Sequence, residues 1–441
     1  MCCEKAPSVE NGAGGGRGKI GTFAPVIFLQ MNQKPQAALR FIFLTLLIDV
    51  TGLGLIIPVM PRLIESLTGG GVSEAARWGG LLNVAYAVMQ FGCAPIIGNL
   101  SDQYGRRPVL LLSLFGFGID YLFLSFAPTI GWLFAGRLIA GFTGASFTTA
   151  SAYIADVSTA ENRAKNFGLV GAAFGMGFII GPVIGGLLGS FGPRMPFMVA
   201  AGLCFLNTLY GFFVLPESLP QERRRAFSWK NANPLAPLLL IRRYPAIGGL
   251  VGALVLVYIA AHAIQSNWNF FTTEKFGWSE KMIGLSLGMF GLLIGITQAG
   301  LIRVINPRIG NEKSVYYGLG LYALGMLLFA FVTQSWMLFA VMVPYCLGGI
   351  CGPALQAIIT GGVPGNEQGA LQGSLTSLMS ATSIVGPLVM TNLFAYFTRP
   401  GAPVHFAGAP FLLGALLLAI SSFMAYRALH PGKAEEASLR A

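Results

Sequence analysis

Twelve apolar segments, each long enough to cross a lipid bilayer, constrain this chain more than any other feature of its sequence. A helix needs about 20 apolar residues to span a hydrocarbon core of about 30 Å. Such segments lie at residues 38–60, 78–97, 109–127, 130–154, 167–191, 195–215, 246–271, 282–302, 315–332, 336–361, 370–397 and 406–426. Only 10% of the residues are charged, too few to cover a water-soluble fold. The sequence therefore predicts an all-α integral membrane protein with twelve transmembrane helices, called spans 1 to 12 below.

The longest interruption of this pattern divides the spans into two sets of six. We assign a tail at residues 1–37, a six-helix bundle at 38–215, a central loop at 216–245, a second six-helix bundle at 246–427 and a tail at 428–441. Gly80 and Gly284 lie near the start of the second helix of each bundle, and the turn glycines Gly105 and Gly310 follow them. The bundles thus look like decayed copies of one unit. This pseudo-repeat, with a site between the halves, is a recurring plan for secondary transporters.

The distribution of basic residues orients the chain. Arg137 lies within a span, and 21 of the 28 Lys and Arg residues fall in the tails and in the loops on one side. The six on the other side are Arg62, Arg77, Arg194, Lys275, Lys281 and Arg399. Because cytoplasmic loops are enriched in Lys and Arg, we expect a multi-pass protein of the inner (plasma) membrane with both termini cytoplasmic. Anionic lipid then accounts for the net charge of +11, and nucleic acid is excluded as a partner.

The cysteines and the N-terminal tail carry no sign of a metal site, a disulfide framework or a signal peptide. Cys93, Cys204, Cys346 and Cys351 lie inside apolar segments, and Cys2 and Cys3 lie in the tail. No zinc-ligand spacing is present, so we expect no metal and no cofactor. The apolar patch at residues 23–29 is interrupted by Pro25 and has no cleavage site after it. We expect the first thirty residues to be disordered or to precede a true start at Met31.

Two carboxylates lie in the middle of spans. Asp49 and Asp120 are each eleven residues from the expected start of spans 1 and 3, which places both about 16 Å deep at the rise of an α-helix. A carboxylate there costs about 3 kcal/mol or more unless it faces a wet cavity, meets a cation or takes up a proton. We therefore predict that both acids couple transport to protons. A purely structural role remains the alternative, above all for Asp120.

Two further ionisable side chains, Arg137 and His262, lie within spans 4 and 7. Because an Arg keeps its charge, Arg137 must face a cavity or an acid, and either Asp49 or Asp120 would satisfy it. Snorkelling of Arg137 to the headgroups is the alternative. His262 is able to carry a proton near neutral pH, and a hydrogen-bonded packing histidine is the alternative.

Glycine and proline recur in span 5. The glycines Gly177, Gly181 and Gly185 are four residues apart, with Pro182 and Gly186 between and after them. Glycines at this spacing give a flat helix face that permits close contact with another helix, and Pro182 removes one backbone hydrogen bond.

The junction of spans 2 and 3 reads Gly-Asn-Leu-Ser-Asp-Gln-Tyr-Gly-Arg-Arg-Pro at residues 98–108. We predict a sharp turn here, made possible by Gly98 and Gly105. Asp156, at the inner end of span 4, is expected to pair with Arg106. Asp102 is expected to accept hydrogen bonds from the N-terminus of span 11, which begins near residue 370.

These motifs together resemble those of a known family. The turn at residues 98–108 resembles the loop-two signature of the major facilitator superfamily, and the span 5 segment resembles the proline-glycine motif of its drug-proton antiporter branch. The segments LIDVTGLGLIIPVMPRLI, PVLLLSLFGFGIDYLFL, PALQ and QGALQGSL are similar to those of the tetracycline efflux pumps. The resemblance covers nearly everything from residue 38 to residue 426.

The resemblance implies a major facilitator fold in which the two halves rock to give alternating access. It implies that Asp49 and Asp120 are functionally essential and that Gln356 lies near the drug. The gating turn would comprise Gly98, Asp102, Gly105, Arg106 and Arg107, together with Asp156. We assign the substrate cavity to Arg137, His262, Gln265, Asn269, Gln298 and Gln356.

Two departures from the tetracycline pumps bear on substrate. Several of those pumps have His where this chain has Ile294, and Asp where it has Tyr322. Proton coupling would then rest on Asp49 and Asp120, with His262 as a possible third group, and a neutral lining would suit bulky, partly aromatic compounds.

The sequence thus predicts a monomeric, proton-coupled antiporter that exports amphiphilic drug-like compounds, with tetracycline the leading candidate. One alternative is a transporter of a native metabolite such as a sugar or an organic acid. Another is a membrane receptor or scaffold that binds without transport. An enzyme is disfavoured, because no nucleophile-base set, metal cluster or phosphate loop is evident.

Overall fold

The computed structural model describes residues 35–144, 146–158, 163–227, 244–364 and 368–430. Most of both predicted tails, and residues 228–243 of the central loop, therefore lie outside the described residues. Within the described ranges the chain is helical almost throughout and forms no strand. The predicted all-α class is confirmed.

The helices follow the expected order. The first six spans are Pro35–Ile56 with Ile57–Val59 and Met60–Thr68 (span 1), Val72–Tyr104 (2), Arg106–Ser125 (3), Ile130–Thr143 with Ser146–Asp156 (4), Arg163–Gly189 (5) and Met195–Val214 (6). The second six are Pro245–Phe276 (7), Glu280–Ile296 with Thr297–Leu301 and Ile302–Ile309 (8), Asn311–Phe331 (9), Ser335–Leu347 with Gly348–Ile350 and Cys351–Gly361 (10), Gln368–Thr398 (11) and Ala409–Leu429 (12). A short 3₁₀ turn, Gln221–Arg223, follows span 6.

Span 8 differs from the others in being interrupted by a π-helical turn. By length and composition, eleven helical segments of the described chain are able to cross a membrane. The twelfth, span 8, has its first α-helical part end at Ile296, where the π turn Thr297–Leu301 begins. The helix nevertheless continues to Ile309 without a non-helical residue. Over the described residues the architecture is therefore the predicted twelve-helix one, with a π turn of the kind often found at functional sites.

The turns after spans 2 and 8 show that the two halves repeat one unit. Gly105 has φ 104° and ψ 159°, and Gly310 has φ 82° and ψ 161°. Glycine adopts positive φ readily because it lacks a Cβ. The same backbone turn therefore connects the second and third spans of both halves.

The turn itself is shorter than the sequence suggested. We expected residues 98–108 to form it, with Gly98 as one of its glycines, and that expectation is wrong. Span 2 stays helical through Gly98 to Tyr104, and span 3 begins at Arg106, so Gly105 alone breaks the helix. Side chains of this last stretch bond to the helix's own carbonyls, as Ser101 Oγ does to Gly98 O at 2.7 Å, which lets the helix run on beyond its apolar part.

The two halves meet at one edge of the bundle. Successive spans alternate in direction, so the junction at Gly105 lies at one edge, here called the Gly105 edge, and the junction at Gly69 lies at the other, the Gly69 edge. At the Gly69 edge, Ser73 Oγ of span 2 donates to Ala395 O of span 11 at 2.8 Å. Arg62 of span 1 pairs with Glu280 of span 8 at 2.8 Å. The structure is thus closed between its halves at this edge.

The glycines of span 5 allow close packing on two neighbouring spans. Gly177 and Gly181 lie against span 1, where a Cβ at Gly181 would come within 2.8 Å of Gly54 Cα. Gly185 lies directly on the Leu55 carbonyl. Gly186 faces the other half instead, and a Cβ there would overlap the Glu280 carbonyl and lie 3.1 Å from Gly284 Cα. Span 5 is therefore held between span 1 of its own half and span 8 of the other.

Aromatic side chains form the core of the second half. Trp268 of span 7 is fully buried, and its ring centroid lies 4.8 Å from that of Phe290 and 5.4 Å from that of Phe329. Its indole nitrogen donates to Ser286 Oγ at 2.9 Å, which satisfies its one polar group. Spans 7, 8 and 9 are thereby joined into one packed unit.

We predict that Gly186→Val opens the Gly69 edge, because the added methyls would overlap span 8 and separate the halves. Spin labels on cysteines introduced at the exposed positions Arg77 and Arg399 would report the separation of spans 2 and 11 as a longer distance distribution. Gly175→Val is the matched control in the same helix, since a Cβ there meets nothing within 4 Å. Equal distances in both variants would show that Gly186 does not hold the halves together.

Candidate functional site

Asp120 and Arg137 form an ion pair inside the first half. Arg137 Nη2 of span 4 lies 2.8 Å from Asp120 Oδ2 of span 3, with side-chain exposures of 7% and 0%. Gly136 allows this approach, since a Cβ there would lie 2.8 Å from Asp120 Oδ1. Of the two acids that the sequence offered as partners, Arg137 therefore binds Asp120. Its position excludes snorkelling to the headgroups.

The pair is buried but not fully hydrogen-bonded. Asp120 Oδ1 and Arg137 Nε are both buried, and neither has a hydrogen-bond partner within the described chain. The guanidinium carbon of Arg137 also lies 5.9 Å from the ring centroid of Tyr86 in span 2, a cation–π distance. An unpaired polar atom is costly when it is buried. A proton added at Asp120 Oδ1 would remove the charge of the carboxylate without breaking a hydrogen bond.

Asp49 and Asp120 share neighbouring side chains. Asp49 is fourteen residues after Pro35 of span 1, and Asp120 is fourteen residues after Arg106 of span 3. Asp49 is buried and lies within electrostatic range of Tyr121 and of Cys204 in span 6. Both acids therefore lie near the same two side chains, and their common depth in the bilayer stays a prediction.

Neutral amides line the second half. Gln265, Gln298 and Gln356, all predicted cavity residues, are exposed in spans 7, 8 and 10. Gln298 belongs to the π turn of span 8, and a Cβ at Gly349, in the 3₁₀ break of span 10, would lie 3.5 Å from Gln298 Nε2. The irregular turns of spans 8 and 10 therefore meet where Gln298 is presented.

Two predicted cavity residues are buried. His262 packs directly against Gly386 of span 11, whose missing side chain leaves room for the imidazole. Asn269 Nδ2 donates to Ile57 O of span 1 at 2.6 Å, at the start of the 3₁₀ turn before Pro58. Both side chains are thus buried against other spans, and their place in the substrate cavity stays a prediction. Pro61, four residues after Ile57, was the sequence signal that the Ile57 carbonyl would need another donor, because a proline has no backbone N–H to donate to it.

At the Gly105 edge, Arg106 is the centre of a polar cluster. Its guanidinium pairs with Asp102 at 2.6 Å and with Asp156 at 3.1 Å, and it donates to Ser101 Oγ at 2.5 Å. The predicted Arg106–Asp156 pair is thus present. The contact of Asp102 with span 11 stays a prediction: in this structure Asp102 is bound to Arg106 of its own half.

Glu217 joins this cluster and was not found from the sequence. Its carboxylate accepts hydrogen bonds from the backbone of Arg106 at 2.8 Å and of Arg107 at 3.2 Å, and so caps the N-terminus of span 3. Arg224 lies 3.9 Å from the same carboxylate, and Arg225 N donates to Asp102 O. The start of the central loop is therefore fastened to the junction of spans 2 and 3. No spacing in the sequence relates Glu217 to a helix end 111 residues away.

A family model and similar proteins place this geometry in a known class. The model of the Major Facilitator Superfamily matches residues 42–316 and 250–441. The chain belongs to the major facilitator superfamily. Among curated proteins, this superfamily member is 42% identical to the class C tetracycline resistance protein of Escherichia coli, over 82% of its own length and 91% of the relative's. It is 38% identical to the class G protein of Vibrio anguillarum, over 85% and 93%. The chain therefore also belongs to the family of these proteins.

Solved structures of the superfamily show the same fold. The human organic anion transporter MFSD10 (TETRAN) is 25% identical, with a TM-score of 0.67 over 89% of this chain and all of the other. An inward-facing bacterial homolog of the human lysosomal transporter Spinster is 16% identical, with a TM-score of 0.73 over 90% and 98%. The chain is thus a multi-pass membrane protein with the major facilitator architecture.

The two departures from the tetracycline pumps have different surroundings. Ile294 of span 8 is 43% exposed. Tyr322 of span 9 packs on Tyr345 with ring centroids 4.8 Å apart, and a Cβ at Gly349 would lie 3.5 Å from its hydroxyl. The Tyr322 hydroxyl and the Gln298 amide therefore lie at the same glycine, where they present neutral hydrogen-bonding groups.

We predict that Glu217→Gln destabilises the protein by about 1 kcal/mol, because the capping charge at the N-terminus of span 3 is lost. The check is the midpoint of thermal unfolding in detergent, followed by tryptophan fluorescence. Glu222→Gln is the control, since Glu222 is exposed in the same segment. An identical midpoint for both variants would contradict the capping role.

Proposed function

We propose that this chain is a proton-coupled antiporter that exports amphiphilic, ring-containing compounds, with tetracycline the leading candidate, by alternating access. The buried Asp120–Arg137 pair carries the proposal, because a charge pair of this kind inside the membrane indicates a proton or ion pathway. The relatives named tetracycline resistance proteins support the choice of drug. Export of such a drug would confer antibiotic resistance.

The orientation follows from charge. Arg106 and Arg107 of the Gly105 edge belong to the side that has 21 Lys and Arg residues in its tails and loops. The Gly69 edge belongs to the side that has six. By the positive-inside rule the Gly105 edge is cytoplasmic. Because the halves are joined at the Gly69 edge, the structure corresponds to a state closed to the outside. Drug enters this state from the cytoplasm.

The proposed exchange of a proton for drug depends on the charged side chains of the first half. When Asp120 is ionised it neutralises Arg137, and when it takes up a proton at Oδ1 the guanidinium loses its partner charge. Asp49 lies at the same level in span 1 and adds a second proton site. A proton arriving from outside therefore changes the charge balance between spans 1, 3 and 4. We infer that this change favours return to the inward-open state, while drug bound near the second half favours the opposite step.

The second half supplies the recognition of drug. Gln298, Gln356 and Gln265 are exposed amides, and Gln356 Nε2 donates to Gln372 Oε1 at 3.0 Å. Amides offer both donors and acceptors without a charge. They suit the ketone, enol and amide groups of a tetracycline, and the proposal assigns binding to this half and coupling to the other.

The test of the proposal is drug export against a controlled proton gradient. We predict that purified protein in liposomes moves tetracycline only when a proton gradient drives protons in the opposite direction. An uncoupler should abolish the movement. Asp49→Asn and Asp120→Asn should reduce proton-driven export at least tenfold, because an amide does not exchange protons. Glu312→Gln, at an exposed ion pair with His430, is the control.

The outcomes separate the alternatives. Export that continues at full rate in Asp49→Asn would refute the role of that acid. Binding of drug without any export would favour a receptor. Transport of a sugar or an organic acid, with no response to drugs in a compound panel, would favour the metabolite transporter.

We predict that Gln298→Leu and Gln356→Leu raise the KM for drug several-fold and leave the pH dependence of export unchanged. The reason is that these amides contact drug, whereas the proton sites lie in the first half. Gln334→Leu, at the Gly69 edge, is the control. A shift of the pH profile in either variant would show that binding and coupling are not divided between the halves as proposed.

A further inference from the structure

Span 4 is interrupted beside the ion pair, and span 2 compensates for the break. The first helix of span 4 ends at Thr143, Gly144 forms a turn, and the second helix is described from Ser146, with residue 145 outside the described ranges. Gln90 Nε2 of span 2 donates to the Gly144 carbonyl at 3.3 Å. The two helices are very close here, since a Cβ at Gly141 would lie 2.6 Å from Tyr86 O. The break in span 4 is therefore held by a side chain of span 2.

Tyr86 connects this break to Arg137. Its side chain interacts with Gln90, and its hydroxyl lies at Gly144, where a Cβ would come 3.1 Å from Tyr86 Oη and 3.4 Å from Gln90 Nε2. The ring of the same residue faces the Arg137 guanidinium at 5.9 Å. The hydroxyl of Tyr86 thus lies beside the backbone of span 4, and the face of its ring lies beside the Arg137 guanidinium that binds Asp120.

We propose that Tyr86 is a positioning residue that holds Arg137 against Asp120, and that its hydroxyl links this ion pair to the break in span 4. The inference rests on the proposed proton exchange and deepens it. The Arg137 side chain has only one hydrogen-bonded carboxylate oxygen, and its Nε has no partner in the described chain. The Tyr86 ring therefore supplies the second contact that fixes the guanidinium. A shift of span 4 at Gly144 moves Tyr86 and changes the hold of Arg137 on Asp120.

Few other groups around Asp120 are able to hold Arg137 against it. Arg137 faces it from span 4 and Tyr86 from span 2. Cys204 faces it from span 6, Tyr121 is its neighbour in span 3, and Asp49 of span 1 shares the environment of both tyrosines. Arg137 is the one cation among these groups. Among these groups, Arg137 is therefore the one whose position decides whether ionised Asp120 has a counter-charge.

Two substitutions separate the ring from the hydroxyl. Tyr86→Phe keeps the ring against Arg137 and removes the contact with Gln90 and Gly144. Tyr86→Leu removes both. Tyr317→Leu, at an exposed position of span 9, is the matched control. Each variant is reconstituted in liposomes, and tetracycline-proton exchange is measured as a function of pH, with KM and kcat determined separately.

We expect Tyr86→Leu to move the pH of half-maximal exchange upward by about one unit, because a carboxylate without its cation takes up a proton more readily. Tyr86→Phe should keep the wild-type midpoint and lower kcat several-fold, since the ring remains and the link to the break is lost. KM should change in neither variant. A purely structural role would lower the amount of active protein without moving the midpoint. If Tyr86→Leu is not recovered in the membrane, Tyr86→Met takes its place.

The result that overturns the inference is a wild-type midpoint in Tyr86→Leu or Tyr86→Met. The proposed function is tested separately by Asp120→Asn in the same assay. Loss of exchange in Asp120→Asn together with an unshifted Tyr86→Leu leaves the proton site in place and removes the role of Tyr86. Full exchange in Asp120→Asn removes the proposed coupling itself.

Discussion

The cost of charge inside a membrane is the constraint on which the rest of this structure depends. Arg137 is unable to lose its charge, so the fold must bring an acid to it, and Asp120 lies 2.8 Å away in the neighbouring span. That contact requires spans 3 and 4 to approach closely, which Gly136 permits. A buried ion pair of this kind contributes little to stability, and under the proposed function its role is that a proton on one partner changes the charge of the whole site.

Close contact between helices is the second requirement, and glycine provides it. Lipid gives no hydrophobic drive for helices to associate, so they depend on close packing. Gly181 and Gly185 seat span 5 on span 1, and Gly186 seats it on span 8 of the other half. Because this contact lies at the Gly69 edge, rocking of the halves must separate Gly186 from Gly284. The motif that packs span 5 within the first half is therefore continuous with the surface through which the two halves meet.

The sequence predicted the fold well and the site in part. Hydropathy gave twelve spans, and the spacing of glycines gave the repeat, because both depend on local pattern. The pairing of Arg106 with Asp156 followed from their common edge. Contacts between distant segments were not predictable in this way. Glu217 caps span 3, and Asn269 satisfies a carbonyl of span 1. A helix start and a proline leave those backbone groups without partners in their own helix, and only the packing of segments far apart in sequence decides which side chain meets them.

The two halves share a backbone plan but differ in chemistry, and this difference bears on how exchange works. The matching turns at Gly105 and Gly310 show that both halves have the same backbone arrangement. The mid-span acids of the described chain, Asp49 and Asp120, both lie in the first half. Across the gap, Gln298 is presented by a π turn and carries no charge. A ligand held by neutral amides does not need to compete with a proton for one carboxylate. Under the proposed function, coupling would then pass through the relative position of the halves, and the contact of span 5 with span 8 is the one that a change of this position would make or break.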